Sequence, residues 1–221
     1  MDPGAAFAHP PAEALAAIGT LIDIDPDFAA ILQRAGPLPW RRRTPGFPGL
    51  LQAIVAQMIS NQAAAAIWGR VRAIPGALDP ASMMDLPDDV LRAAGLSRPK
   101  VIHARALAAA FLDGTLSADQ IELLDDEAAI VTIGSIKGMG RWTAEIYLLF
   151  ALGRLDVFPS GDIALAAALA DLKALPERPG PKALREIATA WAPVRSLAAR
   201  LLWHHWRHVT GRPAMDDIKL L

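Results

Sequence analysis

Apolar positions along this chain recur mostly three or four residues apart, the spacing that keeps side chains on one face of an α-helix. From Ala12, Leu15, Ile18, Leu21 and Ile22 share such a face, and Asp27 to Arg34 predicts a second helix ended by Gly36-Pro37. Residues 37–48 hold four prolines and read as a loop. The run from Phe47 to Ile74 is strongly helical, with Leu50, Ile54, Met58 and Ile59 at helical spacing and Asn61-Gln62 as a point of interruption. Beyond prolines 75, 80 and 87, Asp88 to Ala94 predicts a short helix stopped by Gly95. Ser97 is placed to cap a helix to about Leu112, and Ser117 with Gln120 makes a capping box for another. Asp125 to Ile133, Arg141 to Leu152, Asp162 to Leu172, Lys182 to Ala192 and Ser196 to Val209 complete the series. No stretch alternates like a strand and no repeat of fixed period appears, so the pattern predicts an all-α fold.

Composition sharpens this. Roughly a fifth of the 221 residues are alanine, the best helix former and a poor strand residue, which excludes an all-β fold. The length suits one large domain or two small lobes. A formal net charge of -1 lends no support to a polyanion-binding surface, so any contact with nucleic acid must be local: main-chain amides, a helix end, a few arginines. With no cysteine, a disulfide, a cysteine-ligated zinc or an iron–sulfur cluster is excluded. Residues 1–11 are broken by proline and expected to be flexible. They lack the basic start and apolar core of a signal peptide, and no uncharged apolar stretch reaches membrane-spanning length. A cytoplasmic protein without a membrane partner is the expectation.

Candidate chemistry begins at the turn Ile136-Lys137-Gly138-Met139-Gly140-Arg141-Trp142-Thr143-Ala144. Its Gly-x-Gly is no dinucleotide fingerprint, because no strand precedes it and Thr143 stands where a third glycine belongs. As an ordinary turn, its glycines supply positive φ. As a functional one, backbone N–H groups bared at the start of a helix suit a phosphate. Asp162 follows 22 residues after Gly140, in Val157-Phe158-Pro159-Ser160-Gly161-Asp162. It can cap the next helix and, at that helix's positive end, remain ionised.

These segments resemble the helix-hairpin-helix DNA glycosylases, the HhH-GPD superfamily, with the hairpin in about residues 125–152. Three more blocks carry the resemblance. Residues Phe47 to Ser60 resemble the helix that opens the glycosylase domain. Gly95-Leu96-Ser97-Arg98-Pro99-Lys100 resembles its Gly-Leu-Ser-x-x-Lys turn, and Trp191-Ala192-Pro193-Val194-Arg195-Ser196 resembles a block near the end of the DNA-3-methyladenine glycosylase II branch. The resemblance spans about residues 12–210 and suits a short form of that branch, without the N-terminal β-containing domain of longer bacterial members. It implies two helical lobes flanking a DNA-binding cleft, one of residues 47–155 and the other of residues 12–46 with 156–221.

By the same resemblance the chain removes alkylated purines such as 3-methyladenine and 7-methylguanine from damaged double-stranded DNA by base flipping, initiating base excision repair. Asp162 is its catalytic carboxylate, Trp142, Trp191, Ile146 and Tyr147 line the substrate pocket, and Gln57, Met58, Gly138, Gly140, Arg141 and Thr143 meet DNA. Met58, with Gln57 beside it, would fill the gap in the base stack, although a core position at helical spacing explains Met58 equally well. Where strand-cleaving relatives place a Schiff-base lysine, this chain has Trp142, which has no nucleophile to offer. That implies a monofunctional enzyme without lyase activity. The family often has a Tyr one turn after the hairpin Trp; here Ile146 takes that place and Tyr147 follows. The resemblance requires no cofactor, though backbone carbonyls of Gly134, Ile136 and Met139 could hold a monovalent cation (Na+ or K+), and it implies a monomer.

Other clusters read more plainly. His204 and His208 have the i, i+4 spacing of a metal pair but lack a third ligand, so packing or exposure is expected of them. Asp125-Asp126-Glu127 reads as the acidic first turn of a helix, and Glu145 as part of a solvated helix face. Arg41-Arg42-Arg43 could touch phosphate or face water. Three rival readings remain: a non-catalytic helix-hairpin-helix DNA-binding protein, a glycosylase for deaminated or mismatched bases, and an alanine-rich scaffold for protein partners.

Overall fold

The computed structural model describes residues 10–212. The expectation of flexibility over 1–11 therefore lies almost wholly outside the described residues. Among those described there is no strand, and the helices run α1 (Ala12–Ile24), α2 (Asp27–Ala35), α3 (Phe47–Ala56), α4 (Asn61–Ala73), α5 (Pro80–Asp85), α6 (Asp88–Ala93), α7 (Arg98–Leu112), α8 (Ala118–Leu123), α9 (Asp126–Gly134), α10 (Arg141–Tyr147), α11 (Ile163–Leu172), α12 (Pro181–Ala188) and α13 (Arg195–Thr210). A π-helical turn, Leu148–Leu152, extends α10. Among the described residues no helix is long and apolar enough to cross a membrane.

The chain forms two compact units, one of described residues 10–42 and 153–212, the other of residues 43–152. In the first, α13 packs on α1, α2 and α11. The buried face of α1 is Ala14, Ala17, Ile18 and Leu21, whereas Leu15 is 55% exposed. Small alanines thus replace Leu15 in the expected stripe and let helix backbones approach closely. In the second unit α3 packs on α4, α7 and α10, and α9 packs on α10. Glycine at 49 is required by the turn into α3, because a Cβ there would run into the Thr44 carbonyl oxygen.

Two local expectations change. The run from Phe47 to Ile74 breaks at residues 57–60, between α3 and α4, so Met58 leaves the helix and its core stripe. The proline-punctuated stretch holds a helix, α5, with Pro80 in its first turn and the Asp79 carboxylate capping the Ser82 N–H at 2.8 Å. The cap read from local sequence at Ser117 is present, its Oγ accepting the Gln120 N–H at 3.1 Å; Asp125, expected within the first turn of its helix, stands just before α9 and caps it, its Oδ1 accepting the Ala128 N–H at 2.8 Å. Ser97 precedes α7 without a side-chain cap bond.

Candidate active site

Asp162 stands immediately before α11, where its Oδ1 accepts the backbone N–H groups of Ala164 at 2.9 Å and Leu165 at 3.1 Å. The indole of Trp203, on α13, donates to the same oxygen at 3.3 Å. Asp162 is half-buried and its neighbour Ile163 is 75% exposed, so the carboxylate sits at the margin of the unit and not inside its core.

The loop delivering Asp162 is tied down by the block Trp191 to Ser196. Arg195 pairs with Asp156 through Nε–Oδ1 at 2.7 Å and a second guanidinium nitrogen to Oδ2 at 2.9 Å. Ser196 Oγ donates to the Val157 carbonyl at 2.8 Å and accepts the Val157 N–H at 2.9 Å, both buried. Two bonds on one residue hold the strand-like approach to Pro159 in register, which fixes where α11 begins. The spacing Ser196, Arg200, Trp203 places three polar-tipped residues on one face of α13, the signal from which Trp203 could have been found.

Trp191 itself packs in the core. It is 2% exposed, meets the Phe28 ring edge-on at 5.3 Å and donates from Nε1 to Asp25 Oδ2 at 3.0 Å. Ile146 and Tyr147 are likewise buried, and the Tyr147 hydroxyl accepts the Gly46 N–H at 2.8 Å. Trp142, by contrast, is half-buried on the first turn of α10.

The hairpin between α9 and α10 is built around Gly138. Its φ is +87°, and a Cβ would fall 2.1 Å from the His103 ring, so both conformation and space demand glycine. Gly140, by contrast, has room for a side chain. Gln57 Nε2 donates to the Gly138 carbonyl at 2.9 Å and to Thr143 Oγ1 at 3.0 Å. Next to it Met58 is fully exposed at φ +57°. Lys100, from the Gly-Leu-Ser-x-x-Lys turn, donates to the Val55 carbonyl at 2.7 Å, satisfying the end of α3 just before that break. Burial holds the Lys100 ammonium below the usual lysine range.

Arg141 is not held out toward solvent alone. Its two terminal nitrogens each bond one Glu127 carboxylate oxygen at 2.7 Å, and Nε bonds Glu145 at 2.9 Å. Glu145 is 3% exposed, so in place of the expected solvated face there is an ion pair whose carboxylate is buried. The Glu127 bonds, with the Glu145 charge, push the guanidinium above even its ordinary range against the cost of burial. Arg41 is buried, Arg42 exposed, and the Arg43 guanidinium lies 5.0 Å from the Phe150 ring centroid. His204 Nε2 pairs with the Gly36 carbonyl and His205 with Asp171, as expected of packing histidines.

Residues 51–193 match the model of the HhH-GPD superfamily of base excision DNA repair proteins, well over half the chain. The chain belongs to this superfamily. Among its relatives is DNA-3-methyladenine glycosylase 1 of Schizosaccharomyces pombe, 32% identical over 158 residues, which are 70% of this chain and 69% of that protein. A solved structure of S. pombe 3-methyladenine DNA glycosylase in complex with abasic DNA has a TM-score of 0.79 at 27% identity, covering 87% of this chain and 95% of the other. A DNA-3-methyladenine glycosidase from Bacillus halodurans has a TM-score of 0.75 at 30% identity, covering 91% and 94%. The matched residues include both the α9–α10 turn and Asp162.

Proposed function

We propose that this chain is a monofunctional DNA glycosylase that hydrolyses the N-glycosidic bond of alkylated purines in duplex DNA, and so begins base excision repair. The observation carrying this reading is the anchored carboxylate of Asp162. As the base departs, the sugar approaches an oxocarbenium cation. A carboxylate fixed through Oδ1 before the reaction starts needs no reorganisation to stabilise that charge or to orient water. An alkylated purine such as 3-methyladenine is cationic and leaves readily, so one carboxylate and no strong general acid suffice. Trp142, half-buried on the first turn of α10, would supply an aromatic ring to a cationic base. The names of the relatives support the same substrate class.

The base must leave the duplex at a cost of a few kcal/mol. Met58, exposed and apolar, suits the gap it leaves. Backbone N–H groups of the hairpin around Gly138 and Gly140 would meet the phosphates. The same reading adds a monovalent cation at the turn, bound by main-chain carbonyls. Gly134, Ile136 and Met139 would hold that cation, which would help the hairpin accept phosphate. Action in the compartment that holds DNA, the cytoplasm in a bacterial-type cell, and a monomeric state belong to the same reading.

The test is base release from methylated duplex DNA by wild type and Asp162→Asn, each with and without hot alkali. Wild type should release 3-methyladenine or 7-methylguanine and yield strand breaks only after alkali. Asp162→Asn should lose on the order of a hundredfold or more in rate. Equal DNA binding with no release by either protein would instead favour a non-catalytic clamp or a different base class. Breaks without alkali would overturn the monofunctional reading of Trp142.

A further inference from the structure

The break between α3 and α4 holds a residue in a conformation that its own surroundings do not reward. Met58 has φ +57°, a left-handed backbone region unfavourable to an L-residue, and its fully exposed side chain recovers nothing by burial. Such a conformation persists only where neighbouring contacts over-determine it. They do so here from both sides. Lys100 Nζ holds the Val55 carbonyl at 2.7 Å ahead of the break, and Ser60 Oγ caps α4 at the Ala63 N–H, 3.2 Å, after it. Between them Gln57 Nε2 donates to the Gly138 carbonyl and to Thr143 Oγ1, at 2.9 and 3.0 Å.

That last contact is unlike the others. A side-chain amide has two hydrogens, and both are committed to the hairpin. The acceptors lie at the two ends of the turn, on Gly138, pressed against His103, and on Thr143, which is 3% exposed in α10. Neither can move without the turn.

We infer that Gln57 is a positioning residue which joins the hairpin and Met58 into one mechanical piece, so that seating the hairpin on a DNA backbone delivers Met58 to the base stack. This rests on the DNA-binding reading above and not on base hydrolysis. Gln57 acts through the turn, and the chain reads duplex distortion with the backbone-contacting hairpin and the stack-entering residue locked together. Thr143 is the other half of the latch. Its methyl fills the buried space while its hydroxyl oxygen takes the amide.

The experiment uses the full chain and a duplex carrying a tetrahydrofuran abasic analogue beside 2-aminopurine, whose fluorescence rises on unstacking and needs no catalysis. The variants are Gln57→Ala, Gln57→Glu (same size, no donor), Thr143→Val (near-isosteric), Thr143→Ser and the double Gln57→Ala/Thr143→Val. Each loss of the latch should slow the fluorescence rise about tenfold, the scale of one or two hydrogen bonds. The double variant should be no slower than either single one, and Thr143→Ser, which keeps the hydroxyl, should retain most of the wild-type rate. Additive losses overturn the proposal. So does a normal rise in Thr143→Val beside a lost one in Gln57→Ala, since Gln57 would then act on DNA directly. A wild type that never unstacks the reporter also overturns it. If wild type raises the signal and the pattern holds but methylated DNA loses no base, the latch stands and the hydrolytic reading fails.

Discussion

Trp203 Nε1 lies 3.3 Å from Asp162 Oδ1, the oxygen that also accepts the second and third N–H groups of α11. The helix start fixes the carboxylate along the axis, and the indole fixes it from the side. Trp203→Phe keeps an aromatic ring at the half-buried site and removes the donor together with part of the indole. Single-turnover base release should fall a few-fold to about tenfold, as for one hydrogen bond to a charged group, with little change in the melting midpoint. An unchanged rate would reduce Trp203 to packing.

The two hairpin glycines should part company. At Gly138 a Cβ meets the His103 ring at 2.1 Å and the backbone is at φ +87°, so Gly138→Ala should cost about 2–4 kcal/mol of stability and weaken DNA binding with it. At Gly140 nothing lies within 4 Å of the added Cβ and the backbone is extended, at φ −84° and ψ 170°. Gly140→Ala should therefore stay within about 0.5 kcal/mol of wild type in denaturant titration. Any loss of DNA affinity in Gly140→Ala then measures how closely a phosphate approaches that backbone. Equal stability losses in both would contradict the packing described here.

What was legible in the sequence was local. The Ser117 and Asp162 caps bond to residues two or three positions on, so residue type and spacing suffice to find them. The break after Ala56 was not legible, because Gln57 is satisfied by residues 81 and 86 positions away and no window of local sequence contains them. The same holds for Trp191, whose place is set by Phe28 and by Asp25, 166 residues distant. Glu145 looked solvated because helical periodicity cannot say which polar position a neighbouring helix will cover. Arg141 makes its burial tolerable.

His204 gives the protein a stability component that depends on pH. Burial holds its imidazole below the usual histidine range; the hydrogen bond to the Gly36 carbonyl opposes this, and the charges of Arg207 and Arg41 reinforce it. The folded state thus takes up this proton later than the unfolded chain, whose histidine titrates near about 6.5. Its contribution is complete above that value and is lost as pH falls toward the lower folded value. Melting curves between about pH 7.5 and 5 should show a falling midpoint in wild type and a shallower fall in His204→Gln. An identical slope in the two proteins would assign the pH dependence to other groups.

The Arg141 pair makes a prediction about the hairpin's foundation. Glu145 is 5% exposed in its side chain and Arg141 43%, so the pair is buried on one side only. Arg141→Ala leaves the buried carboxylate without its guanidinium, which should destabilise by about 2–3 kcal/mol, somewhat less than a wholly buried pair would lose. Glu127 is mostly exposed, and Glu127→Ala should change stability by under about 1 kcal/mol despite its two short bonds to the same arginine. Glu145→Gln removes the buried charge, so in the Arg141→Ala background it should recover part of the loss. Chemical denaturation of the four proteins closes a double-mutant cycle on residues 141 and 145. Recovery in the double variant would show that Arg141 serves first to neutralise Glu145 and hold α10 against α9. Additive losses would return Arg141 to the role of a DNA contact.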